Sequence, residues 1–151
     1  MGCLALLAVL TAMAIPLWQS WVSDNHLALT RDALMNDVQT ARMQALQLGT
    51  DLQLSRANTC PWGSADLSDW SCGWQLLRED TRAVLRSHSI HAPLLLRMAN
   101  ASSLRIGARG ELGQVGARWQ ISAGAAPEAK SYVVCVSSAG RLRWRSGRAC
   151  S

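Results

Sequence analysis

Residues 3–18 read CLALLAVLTAMAIPLW and residues 24–48 read DNHLALTRDALMNDVQTARMQALQL, and together they decide the fold. The first stretch is apolar except for Thr11 and Pro16. It approaches the roughly 20 residues that a helix needs to cross a bilayer. Residues 1–23 carry no charged side chain, and Asp24 is the first. Trp18 and Trp21 follow the run, where aromatic side chains favour a membrane–water boundary. In the second stretch Leu27, Leu34, Val38, Ala41, Ala45 and Leu48 fall on one helical stripe. Arg31, Asp32, Asp37, Gln39, Gln44 and Gln47 lie mostly off it, and Gly49 is a natural stop. The two stretches predict one helix of about 45 residues, roughly 65 Å long, kinked or loosened at Pro16. Residues 1–23 are expected to be its membrane-spanning half, and residues 24–49 an amphipathic half packed on a head.

Ala12-Met13-Ala14 also resembles the small-residue site of a cleaved signal peptide. No Lys or Arg precedes the apolar run, however, and the helical pattern continues past it, which favours a retained helix.

After Gly49 the pattern changes to short apolar runs separated by Gly, Pro, Ser, Asn and Asp. Strands are predicted at 50–55, 74–78, 83–87, 94–97, 103–107, 117–122, 131–137 and 141–145. Ala139-Gly140 supplies a hairpin turn between the last two. The fold class is therefore α+β: a long N-terminal helix on an antiparallel β-rich head spanning residues 50–151.

Cys3 lies in the apolar segment, whereas Cys60, Cys72, Cys135 and Cys150 form an even set in the head. Four cysteines allow three pairings. The local one, 60 with 72 and 135 with 150, closes the shortest loops and is the simplest expectation. Disulfides place the head in an oxidising compartment, a periplasm or cell surface. No CxxC pair exists, so neither a zinc ribbon nor a thioredoxin motif is supported.

Charge is divided along the chain. Residues 1–81 hold four Arg against eight Asp and Glu, whereas residues 82–151 hold ten Arg and one Lys against Glu111 and Glu128. Catalytic signatures are missing: there is no acidic pair, G-x-S-x-G, H-E-x-x-H or phosphate loop, and neither an enzyme nor a cofactor is predicted. His88 and His91 are read as surface loop residues, because Pro93 and a strand-like context spoil a helical metal pair. Trp70 and Trp74 are read as packing beside a disulfide rather than as a stacking platform. Asn100-Ala101-Ser102 fits a glycosylation sequon.

Several short elements then line up in order. Ala14-Ile15-Pro16 in an apolar helix and Ala41-Arg42-x-x-Ala45 near a helix end resemble the type IV pilin superfamily. Trp70-Ser71-Cys72-Gly73-Trp74, with Cys60 shortly before it, resembles the W-x-x-G-W element of the GspH/FimT family. Gly140-Arg141-Leu142-Arg143 matches the G-R-x-R element of FimT-type members. The resemblance implies a minor pilin or pseudopilin of a type II secretion pseudopilus or type IV pilus. It would sit in the inner membrane with its head in the periplasm and contact other pilin subunits through the N-terminal helix. The family's leader, a basic stretch ending in Gly and followed by Thr, Leu and Glu, is expected from an in-frame upstream extension.

The C-terminal segment is the candidate site. Arg141, Arg143 and Arg145 alternate, so in a strand they share one face, with Arg148 after Gly147 and Trp144 pointing the other way. Such a row meets phosphates with little sequence readout. Taken with the resemblance of Gly140-Arg141-Leu142-Arg143 to the FimT-type element, this makes double-stranded DNA the candidate partner, with Gly140 allowing the turn. The competing reading is a charged edge strand that resists aggregation. A DNA-uptake receptor for transformation and a secreted disulfide-bonded domain unrelated to pili are the alternative functions.

Overall fold

The computed structural model describes residues 2–57, 60–91, 93–99 and 101–150, with side chains from Trp21 onward. One helix, α1 (Gly2–Leu48), is followed by eight strands: β1 (Leu52–Arg56), β2 (Gly73–Arg78), β3 (Val84–Ser89), β4 (Leu95–Ala99), β5 (Ser103–Ile106), β6 (Arg118–Ser122), β7 (Ser131–Val136) and β8 (Leu142–Ser146). The helix runs through Pro16 in one piece. The expected membrane span, 1–23, and Cys3 have side chains almost wholly outside the described residues. Among the described residues no helix is long and apolar enough to cross a membrane. Asn100 of the sequon also lies outside them.

The stripe on α1 does what its spacing predicts as far as Ala45. Leu27, Leu34, Val38, Ala41 and Ala45 are all fully buried. Leu48 is the exception, because the chain leaves the head there and its side chain is half exposed. Asp37 departs in the other direction: expected off the stripe, it is buried between Leu34 and Val38. It is tolerated there because Trp74 Nε1 donates to its carboxylate at 2.9 Å and the Arg86 guanidinium stands 3.3 Å away. A buried carboxylate needs such partners to offset its lost hydration.

The strands form two antiparallel four-stranded sheets. Sheet 1 has the order β3-β2-β1-β5 and sheet 2 the order β4-β6-β7-β8. Each presents alternate residues to the core, as the two-residue strand period requires. Leu52, Leu54, Trp74, Leu76, Leu104 and Ile106 come from sheet 1; Leu96, Met98, Trp119, Ile121, Val134 and Val136 come from sheet 2. Together with the helix stripe they make one core. Trp70 and Trp119, both fully buried, meet edge to face at 5.8 Å within it.

The loop before β2 is pinned at several points. Cys60 is bonded to Cys72, and Trp62 Nε1 donates to the Ser71 carbonyl at 3.1 Å. Asp69 accepts from the Ser64 and Ser71 N–H groups at 2.8 and 2.9 Å. Burial pushes its pKa up, but those hydrogen bonds outweigh burial and hold it at about 2. The Trp70 N–H donates to the Leu96 carbonyl and the Met98 N–H to the Ser68 carbonyl, so this loop covers the outer edge of β4. Gly73 has φ +111°, and a Cβ there would stand 2.0 Å from the His88 carbonyl oxygen of the neighbouring strand. The Gly of the W-x-x-G-W element is thus required by a backbone-to-backbone approach.

His88 corrects its expectation. It lies within β3 rather than in a loop, half-buried and stacked on Trp74 with ring centroids 4.3 Å apart. His91 is exposed.

Candidate functional site

The β7–β8 hairpin closes through its own turn. The Ser137 carbonyl accepts from the Gly140 N–H at 2.9 Å, and the Ser137 N–H donates to the Arg141 carbonyl at 2.9 Å. The Ser137 hydroxyl accepts from the Arg141 N–H at 3.1 Å. Gly140 has φ +69°, and nothing lies within 4 Å of where its Cβ would stand. Backbone conformation, not room, therefore selects Gly.

A residue of α1 supports this turn. Arg42 Nε donates to the Gly110 carbonyl at 2.8 Å, and one of its terminal nitrogens donates to the Gly140 carbonyl at 3.1 Å. Sequence reasoning placed Arg42 in a family element without giving it a role; its spacing from buried Val38 and Ala45, four before and three after, is the signal that it borders the head.

Register fixes where the arginines point. Arg143 stands opposite Cys135, and Arg145 opposite Val133. Directly opposed residues share a face of the sheet. Val134 and Val136 belong to the core, so Arg143 and Arg145 project from the outer face of sheet 2. Arg141, just before β8, is exposed beside them. On the other face Leu142 packs against the core. Trp144 meets Tyr132 edge-on at 5.4 Å, and the Arg31 guanidinium lies 3.8 Å from the Trp144 ring centroid.

Arg148 is carried away from this row. The disulfide between Cys135 and Cys150 returns the C-terminal tail over β7. From there an Arg148 terminal nitrogen donates to the Ala126 carbonyl at 2.6 Å. The structure thus brings Arg141, Arg143 and Arg145 together and sets Arg148 apart.

Ion pairs are distributed unequally. Arg78, Arg86 and Arg105, on sheet 1, pair with Asp80, Asp37 and the Asp51–Glu79 couple. The Asp51 and Glu79 carboxylates beside Arg105 raise the guanidinium's pKa further. Lys130 pairs with Asp24 at 2.7 Å, and this hydrogen bond raises its pKa. Among the described residues Arg97, Arg118, Arg141, Arg143, Arg145 and Arg148, all on sheet 2 or its tail, make no ion pair. All but the part-buried Arg118 are exposed, and such an array of guanidinium groups without ion pairs can bind a polyanion and offers nothing for general acid–base chemistry. Also among the described residues, no group of three or more His, Cys, Asp or Glu is arranged to hold a metal ion.

The family described as type II transport protein GspH matches residues 30–140. No curated protein sequence matches the chain. Among solved structures, the chain is similar to the type IV minor pilin FimU of Pseudomonas aeruginosa strain PAO1 in two crystal forms, each at 20% identity. One has a TM-score of 0.68 and covers 87% of this chain and 99% of that one; the other has a TM-score of 0.64, with coverages of 83% and 100%. At this identity the likeness is one of fold: a long helix on antiparallel sheets.

Proposed function

The chain belongs to the GspH family, which makes it a minor pilin or pseudopilin, and from that premise we propose that it is a filament subunit whose head binds double-stranded DNA. Residues 1–23 anchor it in the inner membrane, and residues 24–151 stand on the periplasmic side. Two observations support that placement: the uncharged N-terminal stretch and two disulfides, which persist in an oxidising compartment. Other pilin subunits contact the N-terminal helix, in a type II secretion pseudopilus or a type IV pilus. In the second setting DNA binding serves uptake for transformation. A secreted domain unrelated to pili is set aside by the family match.

DNA binding rests on one observation: Arg141, Arg143 and Arg145 share an exposed surface at an open sheet edge with no carboxylate paired to them. The turn that presents them is held from behind by Arg42. A few phosphate contacts give weak, sequence-independent binding, with dissociation constants of about 10⁻⁴–10⁻⁶ M at physiological salt. The test is fluorescence anisotropy with unrelated duplexes at two salt concentrations, using the full chain in neutral detergent. Arg141→Gln with Arg143→Gln should weaken binding to every duplex about tenfold and leave the circular dichroism spectrum unchanged. Equal binding by variant and parent would assign the hairpin's charge to edge protection.

A further inference from the structure

Arg148 and Arg97 lie far apart in sequence but line one open cavity of about 210 Å³ on the outer face of sheet 2. Gln120 and Ser122 of β6 line it as well, and no carboxylate does. We propose that this cavity is a phosphate seat for the backbone of double-stranded DNA, a second contact point beyond the hairpin. The identity of its ligand rests on the DNA-binding reading above.

Arg97 occupies the outward position of β4 between two core residues, Leu96 and Met98. Its register continues across the sheet as Arg97, Gln120, Val133 and Arg145. Opposed residues share a face, so the seat and the hairpin arginines lie on the same face of sheet 2, on either side of Val133, which is fully buried. Arg97 helps to lower the pKa of Asp66, but Asp66 does not line the cavity, and among the described residues Arg97 makes no ion pair.

Arg148 is held there by covalent chemistry. Cys135 sits on β7 between Arg118 and Arg143, and its bond to Cys150 fixes the tail two residues beyond Arg148. The hydrogen bond to the Ala126 carbonyl holds the Arg148 side chain across the sheet. The Ser122 hydroxyl donates to the Gly124 carbonyl at 2.9 Å, so the Gln120 amide is the neutral side-chain donor left for a ligand.

Size and spacing fit the occupant. A water's share of liquid volume is about 30 Å³, so the cavity holds roughly seven waters or one phosphodiester group with part of its hydration. Two planar guanidinium forks facing one space repel each other until an anion lies between them, and they suit bidentate contact with phosphate oxygens. Three strand spacings separate Arg97 from Arg145, about 14 Å at ~4.8 Å each. That distance is close to the ~12 Å width of the major groove. A duplex lying on this face would set one backbone in the seat and the other on the hairpin.

The test titrates a duplex against the full chain in neutral detergent, for the parent, Arg97→Gln, Arg97→Lys, Cys135→Ser with Cys150→Ser, and the combination of Arg97→Gln with both serines. Arg97→Gln should weaken binding about three- to tenfold and make the log–log salt slope shallower by about one. Arg97→Lys, which keeps the charge and loses the fork, should fall between. The serine pair should weaken binding to a similar degree, because Arg148 leaves the seat. Adding Arg97→Gln to the serine pair should cost little more, since one phosphate is lost either way; full additivity would overturn the shared seat. Circular dichroism confirms folding of each variant. If the parent and the hairpin variant behave as proposed while Arg97→Gln binds like the parent, the seat is wrong and the DNA reading stands. If the parent binds no DNA at low salt, both fall. If Arg97→Gln alters binding of short-chain phosphatidylglycerol in mixed micelles and not of DNA, the occupant is a lipid headgroup and the proposal is overturned.

Discussion

Sheets 1 and 2 have the same number of strands, the same antiparallel pairing and the same helix behind them, yet they treat charge in opposite ways. Arg78, Arg86 and Arg105 on sheet 1 find carboxylates within the head and Arg56 there bonds backbone carbonyls, whereas Arg97, Arg118, Arg143 and Arg145 on sheet 2 find no carboxylate among the described residues. The difference does not come from folding, because both sheets reach a dry core with the same alternation. Most acidic side chains lie around α1, β1, β2 and their loops; those near sheet 2, Asp66 and Asp69 at the edge of β4 and Glu128 in the β6–β7 loop, form no ion pair with its arginines. The second half of the sequence thus divides its arginines: Arg86 and Arg105 go to sheet 1, where carboxylates of the first half meet them, and Arg97, Arg118, Arg143 and Arg145 go to sheet 2.

The comparison breaks most severely at Asp37. Asp37→Ala removes the acceptor of the Trp74 indole and leaves a buried donor without its partner. A loss of about 3 kcal/mol is expected in urea denaturation, with DNA affinity unchanged once the protein is refolded at low temperature. A fall in affinity equal to that of the hairpin variant would mean that the two surfaces are coupled.

Acid should act next, at the loop that covers the edge of sheet 2. The folded Asp69 holds its pKa near 2, below its ordinary 3.8. A depressed carboxyl contributes stability fully above its unfolded pKa and loses it as pH falls through the folded one. About 2 kcal/mol should therefore disappear between pH 4 and pH 2. Asp69→Asn should flatten that part of the stability–pH curve, as measured by thermal denaturation at fixed ionic strength.

Gly140→Ala sharpens the comparison on the other side. Left-handed backbone costs a non-glycine residue about 1 kcal/mol, and there is open space for the methyl group. Stability should drop by that amount, and DNA affinity with it, because the turn presents Arg141. Smallest of all is Arg105→Gln: its guanidinium is exposed and already paired on sheet 1, so neither the denaturation midpoint nor the DNA salt slope should move.

Much of this was legible in the sequence. All eight strands lie within two residues of their predicted places, because alternation and turn residues act locally. The helix stripe was legible to Ala45 for the same reason. What the spacing did not reveal is which strands become neighbours. β5 crosses to sheet 1 although β4 before it and β6 after it pair in sheet 2. Periodicity names a face and not a partner, so Asp37 could be placed on its helix but not under an indole from 37 residues away. Arg97 was hidden likewise: its outward position is readable between Leu96 and Met98, but its meeting with Arg148 depends on sheet order and on a disulfide. The hairpin was easiest, since its two strands, turn and arginines are contiguous.

The bonds of Arg42 have a mechanical meaning. Its side chain rises from the last two turns of α1 and holds carbonyls of two separate loops, 68 and 98 residues along the chain. The helix is thus joined to the hairpin's turn directly, beside the ladder of sheet 2 rather than through it. Those two hydrogen bonds tie the stem to the arginine edge without passing through a strand.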